Sequence, residues 1–430
     1  MSERVAGRAG ADRADSADLS WEPPQRPAWL DALNREGGAL DLAQVVPLDE
    51  ASLLAAARER TGLADFGPDT WLEPFRVLLR ALEDEAQLTL WGRLLTRSDL
   101  LIWLSNRLQI HDLLALHPEI HDERIEAPTF IVGLPRSGTS ILFELLACDP
   151  ECGVPQTWEA LFPCPAPETA HYADDPRIER AHALVTQWTR AVPEFGTMHE
   201  MGGTIPAECG LIWANTFVSD HIASLQQAPS YAAWYATADM RPVYEFHRTF
   251  LKILQWRHPR RRWLLKAPEH QSHLATLLAV YPDAQLVQTH RDPVRCMAST
   301  TSLLGALYWI RSDQPFDSTA FEDIVFGEAT AARLEHVMNQ RDDGTVPAEN
   351  ICDARYADLM DDPMACIERI YDHFGRTLGD AARQRMTAYL AAKPKGKFGE
   401  HRYTLSAERV ANDRAHFRRY QERYRVADEV

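Results

Sequence analysis

The chain has 430 residues, 45% of them hydrophobic, which is enough for one large domain or two ordinary ones with a sizeable core. Its 62 acidic residues outnumber 45 lysines and arginines, giving a formal charge of −17. That balance excludes a general affinity for nucleic acid or anionic membrane, which needs a broad basic face, and leaves room only for local anion sites.

Residues 1–27 begin with MSERVAGRAGADRADSADLS, a polar stretch without an apolar signal core, and read as a disordered tail. No later run is long and apolar enough to span a bilayer, so a cytoplasmic protein is expected. The seven cysteines include no Cys-x-x-Cys pair and read as reduced structural residues.

From Trp29 to His121 the apolar residues recur at three and four, which predicts a helical N-terminal subdomain over residues 28–122. A short β-rich run, Thr129 to Val132, follows. Similar runs recur in RWLLKAP, AQLVQTHRDP and ENICDARY. Each precedes a helical pattern: Thr139 to Cys148, Gln271 to Tyr281, Pro293 to Leu304 and Pro363 to Gly375. Strands alternating with helices over short connections predict an α/β fold for residues 123–430, a P-loop-like three-layer arrangement with a central parallel sheet. Ligands of such sheets bind at the carboxyl ends of the strands.

A long insertion, about residues 155–260, separates the first strand–helix unit from the second and predicts a helical cap. Its aromatics, Trp158, Trp188, Trp213 and Trp234 among them, read either as the core of that cap or as the wall of an apolar acceptor pocket.

FIVGLPRSGTSILFELL spans the end of the first strand, a loop and a helix start. Gly133 to Ser140 fits the Gly-x-x-x-x-Gly skeleton of a phosphate-cradling loop. Backbone N–H groups at such a helix N-terminus make an anion site. Yet Gly138-Thr139-Ser140 stands where a nucleotide hydrolase has Gly-Lys-Ser/Thr, and no acidic strand end is placed to hold magnesium. A P-loop kinase or NTPase would need that lysine, and a non-catalytic nucleotide-binding scaffold would be marked by degraded site residues.

With PRSGT in that loop, the chain resembles the sulfotransferases that use 3′-phosphoadenosine-5′-phosphosulfate (PAPS). The arginine form is similar to the tyrosylprotein sulfotransferases and to a large bacterial branch. The resemblance implies that Pro135, Arg136, Ser137, Gly138 and Thr139, with Ser140, hold the 5′-phosphosulfate. Arg136 would then face the bridging oxygen whose bond to sulfur breaks, donating to the charge that builds there. In HRDPVRCMAS, Asp292 and Pro293 suit a helix start. Arg291 and Ser299 match the family's spacing for the 3′-phosphate. In RYADLMDDP, Tyr356 matches the tyrosine that contacts the adenine, although a core tyrosine fits the residues as well. In KPKGKFGEHRY, Lys395, Gly396 and Gly399 match the loop that closes over PAPS; Pro394 departs from the family's arginine, with Lys393 beside it. The four segments follow in family order from about residue 129 to 403.

Sulfuryl transfer to a hydroxyl needs a clamped donor, charge stabilisation on the leaving oxygen and a base, and this scheme uses no metal. Lys266, at the end of RWLLKAP, matches a family lysine near the sulfate. Two bases stand level. His270 suits neutral pH, whereas Glu159 needs burial to raise its pKa. His199, Glu200 and Glu208, in MHEMGGTIPAECG, are outside candidates. The aromatic cap points to a lipophilic small-molecule alcohol or phenol as acceptor, with no nucleic acid partner. Whether the N-terminal helices cap the pocket or form a homo-oligomer face stays open.

Overall fold

The structure is a computed structural model that describes residues 19–392 and 404–430. Its strands, in chain order, are β1 (Leu19–Ser20), β2 (Thr129–Val132), β3 (Cys152–Gly153), β4 (Arg262–Lys266), β5 (Gln285–His290), β6 (Ile351–Arg355) and β7 (Thr404–Leu405). β3 to β6 and β2 form one five-stranded sheet in the order β3-β4-β2-β5-β6, and every pairing in it is parallel. The central strand β2 is buried along its whole length, as a parallel strand covered on both faces must be. From β2 the chain crosses to one edge of the sheet, and after β4 it crosses to the other. The reversal leaves a crevice at the carboxyl end of β2, where open α/β sheets take their ligands.

Residues 28–122 fold into helices, the longest of them Leu90–Leu116. Thr89 begins it by accepting the Gly92 N–H on its hydroxyl at 3.1 Å. Leu100, Leu104 and Leu108 recur at the helical period and are fully buried. They share one apolar core with Trp213 and Tyr244 of the cap and with Phe130 and Leu265 beneath the sheet. This continuity packs cap and N-terminal helices into one core with the sheet.

Two expectations need correction, and one strand carries no sequence signal. The segment read as a tail is docked from Leu19 onward: β1 pairs antiparallel with β7, and Trp21 is buried against Gly305. A Cβ on Gly305 would lie 2.4 Å from that indole. Arg26 lies 3.7 Å over the ring of Trp309 and donates to its carbonyl at 2.6 Å. The helix expected to stop at Leu304 runs on to Arg311, because Gly305 serves as the seat of Trp21 and does not break it. The two residues of β3, finally, are too few to show any alternation in sequence.

Candidate active site

The loop after β2 is held in shape by contacts made elsewhere in the chain. Gly133 has φ of 139°, and a Cβ there would sit 2.2 Å from the Thr289 hydroxyl at the end of β5. Gly138, at φ 97°, begins the helix Thr139–Leu146, and its Cβ would fall 2.8 Å from the ring of Tyr356. Only glycine meets both conditions at these positions. Arg136 also lies in the left-handed region, at φ 68°, a strained conformation for a side chain of that size. The N–H groups of Gly138, Thr139 and Ser140 find no acceptor among the described residues. They lie at a helix N-terminus, which suits them to an anion.

Ser137 plays a different part from its neighbours. It is buried, donates to the Leu134 carbonyl at 2.6 Å and sits 2.6 Å from the Thr289 hydroxyl, so it braces the loop and does not face the cavity. Arg136 reaches across the crevice and donates through Nε to Ser299 at 3.1 Å and through Nη1 to the Met198 carbonyl at 3.2 Å. Burial and then the neighbouring Arg291 charge lower its proton affinity. Arg291 in turn donates to the Arg136 carbonyl at 2.9 Å and lies 3.9 Å over the ring of Tyr356. Two arginines, Ser299 and Tyr356 thus converge on the mouth of the loop. Lys395, Gly396 and Gly399 lie outside the described residues.

At the end of β4, Lys266 is buried. Its ammonium donates to Ser140 at 3.1 Å and forms an ion pair with Glu208. Burial raises the proton affinity of Glu208, but the charge and hydrogen bonds of Lys266 outweigh it and hold the carboxyl below the ordinary carboxylate range. His199 is held neutral by burial, with Lys266 and Arg136 acting in the same direction. Asp220, on the same wall, is pushed up to about 7 by burial and by the nearby Glu269 and Glu208 carboxylates.

Arg136, Gly138 to Ser140, His199, Glu208, Asp220, Lys266, Arg291 and Tyr356 line a cavity of about 530 Å³. Its remaining wall is largely apolar, with Trp103, Trp188, Phe195, Leu304 and Phe326 among its members. Some cap aromatics therefore form the pocket while others, such as Trp158 and Trp213, are core.

The two level candidates for the base do not reach this cavity. Glu159 is fully buried, pairs with Arg260 at 2.5 Å and accepts the Gln156 N–H at 2.9 Å in a capping box. Its carboxyl, raised by burial against Arg260, serves packing. His270 turns inward onto Phe130 and Trp213, with Nδ1 2.9 Å from the Tyr244 hydroxyl. Burial keeps it neutral. Both corrections have one cause: a residue's side of a helix start is set by partners remote in sequence. Asp220, Glu269 and Thr289, which the sequence reading passed over, carry no motif of their own.

A parallel sheet with a glycine-bounded loop at its reversal point, and a lysine–carboxylate pair between that loop and an apolar cavity, make a site suited to an anionic ligand beside an apolar one. A sequence model described as the sulfotransferase family matches residues 128–380, and the chain belongs to that family. The chain is 26% identical over 304 residues to the omega-hydroxy-beta-dihydromenaquinone-9 sulfotransferase Stf3 of Mycobacterium bovis and to its counterpart in Mycobacterium tuberculosis. Those matches cover 67% of this chain and 73% of each relative. Among solved structures it is similar to sulfotransferase STF1 of Mycobacterium tuberculosis, with 31% identity, a TM-score of 0.72, and 87% and 98% of the two chains covered. Sulfotransferase STF9 of Mycobacterium avium aligns with 26% identity and a TM-score of 0.76 over 88% and 97%. Family membership means transfer of a sulfuryl group from a donor co-substrate to an acceptor, and it sets aside the kinase and scaffold readings. Among the described residues no helix is long and apolar enough to cross a membrane.

Proposed function

We propose that the protein transfers the sulfuryl group of PAPS to the hydroxyl of a lipophilic small-molecule alcohol or phenol, with Glu208 as the base. The observation that carries this reading is the bridge Ser140–Lys266–Glu208. It links the anion loop to a carboxylate that lies in the apolar cavity.

The residues present fit such a donor. The unpaired N–H groups of Gly138, Thr139 and Ser140 suit the 5′-phosphosulfate, and Arg291 with Ser299 suits a 3′-phosphate. Tyr356, already stacked under Arg291, offers the rim of the loop a flat face for a base. PAPS supplies the sulfuryl group itself. Arg136 and Lys266 put positive charge where the leaving phosphate gains negative charge, in a buried setting that strengthens the interaction. Glu208 is ionised at neutral pH and so is able to accept the acceptor's proton. Once Lys266 turns toward a bound anion, its hold on Glu208 weakens and the carboxylate becomes the stronger base.

The apolar wall supports a lipophilic acceptor. The name of the Stf3 relatives, which specifies a hydroxylated menaquinone, supports it too. The test is sulfate transfer from PAPS followed by mass spectrometry, across simple phenols, long-chain alcohols and sugars. Transfer to the lipophilic members alone is expected; transfer to sugars alone overturns the acceptor class.

A further inference from the structure

Helix Pro293–Arg311 forms one long side of the cavity. Ser299, near one end, takes the hydrogen bond of Arg136. Met297, Thr300, Leu304 and Leu307 follow at helical spacing along the cavity wall. Arg311 ends the helix twelve residues beyond Ser299, about 18 Å along the axis.

Arg311 is completely buried, and only part of it is partnered. Nη2 donates to Asp99 Oδ2 at 2.6 Å, while Nε and Nη1 have no acceptor among the described residues. Asp99 lines the cavity with its side chain 14% exposed, and no described group bonds its second oxygen. Trp188 gathers the cluster: Arg311 sits 5.1 Å over its ring, and His221 stacks against it at 6.1 Å. His221 and Trp188 both line the cavity. A buried charge pair with unsatisfied N–H groups is costly, and an apolar pair of the same shape would serve packing better. Asp99 borders the cavity, whereas Arg311 lies wholly buried behind it and holds the carboxylate there.

We propose that Asp99, held in place by Arg311, forms a second polar subsite, which takes a hydroxyl borne by the acceptor at the end remote from the one that is sulfated. The second Asp99 oxygen accepts that hydroxyl's hydrogen. The acceptor class is thereby narrowed to elongated lipophilic molecules with hydroxyls at both ends. This subsite rests on the reading that the cavity holds the acceptor.

The test is calorimetric titration of the full chain with matched α,ω-alkanediols and primary alkanols over a series of chain lengths, with a sulfate-transfer assay run in parallel. In a purely apolar channel the alkanol binds better, since the diol buries an unpaired hydroxyl. With the subsite, the diol of fitting length binds roughly tenfold tighter, the worth of a hydrogen bond to a charged group. In Asp99→Asn that preference falls toward unity. Equal or weaker diol binding at every length overturns the subsite, even where both compounds are sulfated. Diol preference without sulfate transfer keeps the subsite and overturns the reaction assigned above. Binding of neither compound overturns both. If Asp99→Asn does not fold, the length series on the unaltered chain still decides.

Discussion

Arg291 grips both carboxylate oxygens of Glu429, with Nε 2.9 Å from Oε1 and 3.0 Å from Oε2 and Nη2 2.7 Å from Oε2, while its guanidinium lies over Tyr356. Asp292 holds the segment in place by accepting the Glu429 N–H at 2.7 Å and pairing with Arg414. If Arg291 binds the 3′-phosphate, Glu429 competes for it. Glu429→Gln should tighten adenosine 3′,5′-bisphosphate roughly fivefold, the worth of a partly exposed ion pair, and leave adenosine 5′-phosphate unmoved. An equal gain for both nucleotides would show that Glu429 does not act at the 3′-phosphate.

Glu208 and Glu159 separate chemistry from architecture. Glu208→Gln should lower kcat by about a hundredfold or more, with little change in acceptor KM. Glu159→Gln leaves Arg260 buried without its charge partner and should cost about 3 kcal/mol of stability. Turnover per folded molecule should survive. Thermal melts and single-turnover rates on both variants check this.

Lys266 and Arg136 act on the same oxygen in this account. Lys266→Met should reduce kcat by about a hundredfold, as loss of one donor to a developing oxyanion does. It also frees Glu208 from the charge that lowers its pKa, so the acid limb of the rate profile should move upward. A profile that keeps its limb where it was would remove Lys266 from contact with the base.

Buried histidines should govern acid stability. His247, packed against Phe130, Trp213, His270 and Tyr281, is lowered from 6.5 to about 3 by burial, and His270 beside it is lowered as well. Folded, both stay neutral; unfolded, both take a proton below about pH 6.5. The unfolded state therefore binds more protons, and stability falls as pH drops from 6.5 toward 3, by about 1.4 kcal/mol per unit for His247, with His270 adding in the same direction. His247→Phe should flatten the slope of melting temperature against pH across that window, though it strands the Tyr281 hydroxyl at neutral pH.

The parallel sheet and the glycine-bounded turn after β2 were legible because their signals are local. Thr129 to Val132, the glycines at 133 and 138 and the helix after them lie within eighteen positions, and Arg291 and Ser299 stand on either side of one helix start. Which acid lines the cavity was not legible. Glu159 is claimed by Arg260, 101 positions away, and Glu208 by Lys266, 58 positions away. Which acid faced the cavity thus depended on long-range pairing that no periodicity encodes. The docking of residues 19–27 has the same origin, since nothing near Trp21 announces that Gly305 will receive it.

The central claim is that the crevice binds a 3′-phosphorylated adenosine donor through Arg291. The most direct measurement is calorimetric titration with adenosine 3′,5′-bisphosphate, adenosine 5′-phosphate and ADP with magnesium, on the unaltered chain and on Arg291→Ala. The account predicts tight binding of the bisphosphate alone, lost by about a hundredfold or more in the variant, as for removal of a charged hydrogen-bond partner. Preference for ADP with magnesium, or bisphosphate binding that Arg291→Ala leaves intact, would contradict it.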